Sequence, residues 1–195
     1  ELPIYSVDRD DNKIAISFDA AYGDEFTLDI LNTLDKYNIK TTFFLVKFWI
    51  DKFPHQVKEI HRRGHEIGNH SATHPNMSSL SREEIAKELN DTGNKIYELT
   101  KTKPILFRPP FGDYNDTLIQ EARENGYYTI QWDTDSLDWK ELGVEPVVDR
   151  VIRNISKGSI VLFHNNAKYV KEYLPLVIER ILDEGYEIVP VSELI

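Results

Sequence analysis

Along nearly its whole length the chain alternates short β-rich apolar runs with segments of helical periodicity, and few folds accommodate that pattern. Lys13–Asp19 (KIAISFD) alternates apolar and polar residues and reads as a strand. Phe26–Tyr37 follows with Leu28, Ile30, Leu31 and Leu34 at helical spacing. Thr41–Val46 (TTFFLV) is short and apolar, as in a buried strand. Pro54–Arg63 reads as a helix opened by proline and ended by Gly64. After the short segment His65–Ile67, Ser81 and Glu84 form a capping box that opens a helix to about Leu99. Further strands are expected at Ile105–Arg108, Tyr127–Trp132, Ser159–His164 and Tyr186–Val189. Helices are expected at Asn115–Asn125, Pro146–Ile155 and Tyr169–Glu184, with Gly126 and Gly185 ending the first and last.

Helices between buried strands imply a parallel sheet with helical crossovers, an α/β fold. The number of units points to a closed or nearly closed barrel, and 195 residues without repeat or linker make one domain, 1–195. An open doubly wound sheet is the runner-up. No G-x-G-x-x-G follows a strand and no phosphate-binding loop is present, which argues against a nucleotide site.

A formal net charge of −10 repels phosphate polymers and anionic lipid, so neither nucleic acid nor a charged membrane surface is an expected partner. The chain has no cysteine, which removes disulfides, thiolate metal sites and cysteine nucleophiles together. No stretch reaches the about 18 apolar residues of a membrane span. No basic-then-apolar leader is visible from Glu1 either; a signal or anchor ahead of it is expected to have been trimmed away.

In α/β barrels, chemistry gathers at the C-terminal ends of strands. Asp19, Arg108 and His164 each end a strand here; Asp133, Asp135 and Asp138 follow Trp132. His70 and His74 follow the short segment after Gly64, and their i, i+4 spacing suits two imidazoles on one metal. Two surface histidines are the plainer reading of that spacing alone. Ser71 stands where a zinc protease of the H-E-x-x-H type needs glutamate, so that class is not supported. Arg108-Pro109-Pro110-Phe111-Gly112 is a rigid turn able to aim Arg108 and a backbone N–H into a cleft.

Taken in order, these segments resemble the polysaccharide deacetylases, carbohydrate esterase family 4 or the NodB-homology domain. The resemblance runs from about Lys13 to Ile195. It is carried by Ser17-Phe18-Asp19, His70-Ser71-Ala72-Thr73-His74, Arg108-Pro109-Pro110-Phe111-Gly112, Asp135-Ser136-Leu137-Asp138-Trp139 and Val161-Leu162-Phe163-His164. It implies a distorted (β/α) barrel with fewer than eight complete units, and a hydrolase that removes N-acetyl groups from a glycan. Peptidoglycan is the foremost substrate; chitin, or xylan with its O-acetyl groups, is the alternative. The resemblance makes Asp19 the general base, Arg108 its tuning partner, His164 the general acid and Asp138 the partner of His164. The Phe111 N–H becomes an oxyanion donor, Leu162 part of an acetyl pocket, and Trp139 a groove wall or a core residue. His70 and His74 become ligands of a divalent metal, zinc foremost. A monomer acting outside the cell or at the cell wall is expected.

One position departs from the family. A second aspartate normally follows the first and ligates the metal; here it is Ala20. The missing ligand is sought in Asp24, in water or in Asp19 itself, and Asp24 could equally cap the following helix. Ala20 also keeps open a glycan-binding relative without turnover. An amidase for small molecules on the same barrel is a further rival.

Overall fold

The computed structural model describes residues 1–195. Eight parallel strands form one curled sheet: β1 (Lys13–Ala20), β2 (Thr42–Leu45), β3 (Glu66–Asn69), β4 (Leu106–Phe107), β5 (Tyr128–Thr129), β6 (Thr134–Asp135), β7 (Ile160–His164) and β8 (Glu187–Ile188). Their order is β5-β4-β3-β2-β1-β7-β6, with β8 paired to the start of β1. No ladder joins β5 to β6, so the barrel is distorted and incomplete. Around it lie α1 (Thr27–Lys36), α2 (Lys47–Lys52), α3 (Pro54–Arg62), α4 (Arg82–Thr100), α5 (Asp116–Glu124), α6 (Val144–Asn154), α7 (Val170–Asp183) and α8 (Val191–Leu194). None of these helices is long and apolar enough to cross a membrane.

Side-chain alternation along β1 sorts its residues by job. Ile14, Ile16, Phe18 and Ala20 join the large apolar cluster shared with the helices. Phe18 stacks on Phe43 and Phe163 at 5.1 and 5.5 Å between centroids, three buried rings each worth about 1.5–3 kcal/mol in apolar area. Ala15 belongs instead to a smaller cluster with Phe44, Leu106, Ile130, Ile160 and α8, which fills the barrel interior. Ser17 and Asp19 share that inner parity and continue it towards the C-terminal mouth.

The expected elements are found, with shifted ends. Tyr127–Trp132 contracts to Tyr128–Thr129, because the chain leaves the ladder at Ile130 and re-enters beside β7 as β6. The segment at His65–Ile67 starts one residue later and extends to Asn69, so His70 comes directly off a strand end. Gly68 makes this possible: a Cβ there would lie 2.5 Å from the Phe44 ring. Three elements had no expectation: α2, β6 and α8.

At α4 the capping box is complete, the Glu84 N–H donating to Ser81 Oγ at 3.2 Å and the Ser81 N–H donating to Glu84 Oε1 at 3.0 Å. Ser81→Ala is expected to destabilise the fold by about 1 kcal/mol, read as a lower urea midpoint at constant m-value.

Candidate active site

Arg108 anchors the mouth of the barrel. It is fully buried, and its guanidinium donates to Ser17 Oγ, Asp19 Oδ1 and the Gln131 carbonyl, each at 2.9 Å. Its underside rests 4.2 Å from the centroid of Phe44, the ring that Gly68 admits. Burial pushes the Asp19 carboxyl up, but the charge and hydrogen bond of Arg108 and the charge of a protonated His164 leave it below the usual carboxylate range. Asp19 is therefore a carboxylate at neutral pH.

Asp19 and His164 are register partners on β1 and β7. The His164 ring lies with Nδ1 2.8 Å from Asp138 Oδ1, while its backbone N–H donates to Asp138 Oδ2 at 2.7 Å. Tyr173 of α7 donates a third bond to that carboxylate, at 2.8 Å. Burial pulls the His164 imidazole down, yet the bond to and charge of Asp138 leave it above its ordinary value. One carboxylate held charged thus faces one imidazole held towards its protonated form.

His70 and His74 meet edge to face, their centroids 5.0 Å apart. His70 Nδ1 is 2.6 Å from the Arg108 carbonyl, which can only accept, so Nδ1 carries the proton. Its Nε2 lone pair is left beside Asp19 Oδ2, 3.6 Å away. Burial, reinforced for His74 by its neighbour His70, lowers both imidazoles, His74 to about 4. Both are neutral donors at pH 7. A backbone-oriented imidazole with a free lone pair is the usual state of a metal ligand. No three His, Asp or Glu side chains converge into a closed cage. The donor set nevertheless fits a divalent ion held by two imidazoles, with Asp19 Oδ2 the nearest carboxylate oxygen.

The loop between the histidines is held by a residue with no signal in the sequence. Glu88 of α4 accepts from the Ala72 and Thr73 N–H groups at 2.7 and 2.9 Å, and from Thr73 Oγ1 at 2.5 Å. These bonds fix a loop in which Ser71 and His74 both have positive φ, 72° and 60°. Phe111 is also left-handed, with φ 62°. Its turn closes through the Gly112 and Asp113 N–H groups, and neither bond uses the Phe111 N–H. Strained backbone of this kind persists where the surroundings enforce it, often at functional sites.

Asp19, His70, His74, Phe111, Trp139, Leu162 and His164 line one open cleft of about 630 Å³, with Tyr22, Trp132 and Asp135. Trp139 is exposed on the cleft and is not a core residue. Asp24 is not brought to the site. Its carboxylate accepts from Gln56 of α3, and the carbonyl of Gly23 before it is gripped by Trp49 Nε1 at 2.7 Å and Asn165 Nδ2 at 3.1 Å. That grip holds the backbone just before Asp24 in place. Asp24 does not cap α1 by its side chain either; only its carbonyl accepts, from Thr27. Ala20 faces the helix-side apolar layer, 1% exposed.

The family model described as Polysaccharide deacetylase matches residues 6–130. The chain belongs to the polysaccharide deacetylase family. A peptidoglycan-N-acetylglucosamine deacetylase of Bacillus cereus is 36% identical to this deacetylase-family chain, over 98% of this chain and 92% of that protein. The peptidoglycan-N-acetylmuramic acid deacetylase PdaC of Bacillus subtilis is 33% identical over 97% of this chain, which spans only 40% of that longer protein. Among solved structures, a family 4 pseudoenzyme from Bacillus anthracis superposes with a TM-score of 0.95 at 34% identity, covering 99% of this chain and 68% of the other. A mutant of that pseudoenzyme described as having restored enzymatic activity superposes equally well. The family is generally metal-dependent.

Proposed function

We propose that this chain hydrolyses N-acetyl groups on peptidoglycan sugars, N-acetylglucosamine or N-acetylmuramic acid, at the cell wall. The observation that carries this reading is the pairing of Asp19 and His164 across one open cleft. Their environments push them towards opposite protonation states, which is what an acid–base pair requires. The peptidoglycan deacetylases among its relatives support the substrate class.

In this reading Asp19, kept ionised by Arg108, takes the proton of the attacking water. Arg108 fixes Oδ1, leaving Oδ2 for that task. The tetrahedral oxyanion is met by the Phe111 N–H, and such a donor contributes about 2.7–4 kcal/mol. His164 delivers a proton to the departing amine, which leaves poorly without one, and Asp138 holds the imidazole in place for it. Leu162, inward on β7, receives the acetyl methyl group; Trp139 walls the groove. His70 and His74 would hold a divalent ion, zinc by the preference of imidazole. When bound, that ion supplies positive charge that polarises an acyl carbonyl and makes water more acidic.

Acetate and free amine released from acetylated peptidoglycan fragments test the reading, with chitooligosaccharides and acetylated xylan as comparison substrates. Release that disappears in Asp19→Asn supports it. The second reading, a glycan-binding relative without turnover, is favoured by Ala20 and by the likeness to the pseudoenzyme. It predicts glycan affinity with no acetate from any of the three.

Purified protein is expected to retain a divalent metal that the His70→Ala/His74→Ala double variant lacks; equal metal contents would overturn the assignment. Glu88→Ala, which frees the loop between the ligands, is expected to weaken metal affinity by about 10–100-fold, measured by competition with a chelator.

A further inference from the structure

Two exposed rings stand beside the cleft without a task in the chemistry above. Tyr22, 63% exposed, lies on the loop that leaves β1 and lines the cleft. Phe48, 37% exposed, sits in the first turn of α2. Their centroids are 5.7 Å apart and their planes tilted by 35°. From Tyr22 the aromatic row continues inward to His74 at 6.4 Å, and from His74 to Phe111 at 4.7 Å.

We infer that Tyr22 and Phe48 form a stacking platform for the pyranose ring next to the sugar being deacetylated. This rests on the deacetylase reading for the location of the reacting sugar, which the residues Asp19, His70 and His74 define. Exposed apolar rings that touch one another at the rim of a cleft, rather than lying scattered, suit a recognition surface. Aromatic rings offer a wide contact face at little cost in side-chain entropy. A sugar ring presents C–H groups on its face and hydroxyls on its rim, so it stacks on such a face while its hydroxyls stay solvated.

The platform is also rigid. Gly23, next to Tyr22, is held by the Trp49 and Asn165 bonds to its carbonyl. α2 is tied to the histidine loop by the Lys47 N–H donating to the Ser71 carbonyl at 3.0 Å. Lys47, the residue before Phe48, is paired with Asp51 at 2.8 Å. The occupant is continuous with the cleft because Tyr22 belongs to both.

The test uses the intact chain with N-acetylglucosamine and its dimer and tetramer, and the variants Tyr22→Ala and Phe48→Ala. The preference for tetramer over monosaccharide in kcat/KM is expected to fall about tenfold in each, the size of one lost aromatic contact. That loss is expected in KM with kcat within about twofold, the mark of lost binding rather than lost chemistry. Tyr22→Trp is expected to restore the preference. Dissociation constants for the same sugars are measured in parallel. If no protein, wild type included, releases acetate, the deacetylase reading fails, yet the platform is still judged by whether the variants lose the affinity gained with length. An unchanged tetramer preference and an unchanged affinity gain in both alanine variants would overturn it.

Discussion

Asp19→Asn is expected to lower acetate release by about 10²–10⁴-fold, the range for losing a positioned general base. The same substitution is expected to cost stability, and the two effects share one cause. Arg108 is fully buried and Asp19 is its only carboxylate partner within ion-pair distance. Breaking a buried pair by removing one partner costs about 3–5 kcal/mol, because the remaining charge stays out of water. Asparagine keeps an acceptor for the guanidinium, so the loss should lie towards the lower end. Arg108→Met leaves the buried Asp19 carboxylate without its partner, so it should harm turnover through the raised carboxyl of Asp19 and cost the fold at least as much. Chemical denaturation beside steady-state kinetics separates the effects. Wild-type turnover in Asp19→Asn would eliminate its role as base.

The second large effect is on the pH profile. In the proposed mechanism His164 must arrive protonated to serve the leaving amine, and Asp138 is what keeps its pKa above the ordinary imidazole value. Activity is therefore expected to fall as pH rises through that raised value. In Asp138→Asn the charge is gone while burial remains, so the alkaline limb of kcat/KM should move to lower pH and activity at neutral pH should drop by about 10²-fold or more. The stability contribution has the same sign. Folding raises the pKa of His164, so the pair stabilises fully below the ordinary value and loses that contribution as pH rises through the folded one. Tyr173→Phe should shift the limb only slightly, since it removes a hydrogen bond to Asp138 and leaves its charge. An alkaline limb that stays in place in Asp138→Asn would show that His164 is not the group it reports.

Much of this architecture is legible in the sequence. β1, β7 and the long helix α4 carry strong local patterns, and their spans lie within a residue or two of expectation. The residues at their ends follow from barrel topology. What was hidden is what depends on distant partners. α2 is six residues long with no side-chain cap, and it follows an apolar strand without a break. β6 has two residues and exists only because β7 offers it a ladder. Glu88 reads as one more charge on an exposed helical face, and nothing local links it to Thr73, 15 residues away. Tyr173 meets Asp138 across 35 residues. Asp24 was a fair candidate ligand by spacing; the bonds that hold Gly23 and the Gln56 side chain turn it away.

The placement of β1 has a consequence for how such a protein can change. Asp19 sits on the strand with the most neighbours, bonded to β2, β7 and β8 at once, and its parity is tied to the core residues on either side. A backbone shift at Asp19 must carry β2 and β7, its partners in register there, with it. Tyr22 and Phe48 sit on a loop and a short helix beyond the end of that strand, where single side chains can be exchanged without disturbing the ladder. On the proposed reading, the chemistry is anchored to the strand with the most partners while the choice of polymer is left at its margin. Variation among such proteins should then accumulate at the rim first, changing which glycan is held long before it changes what is done to it.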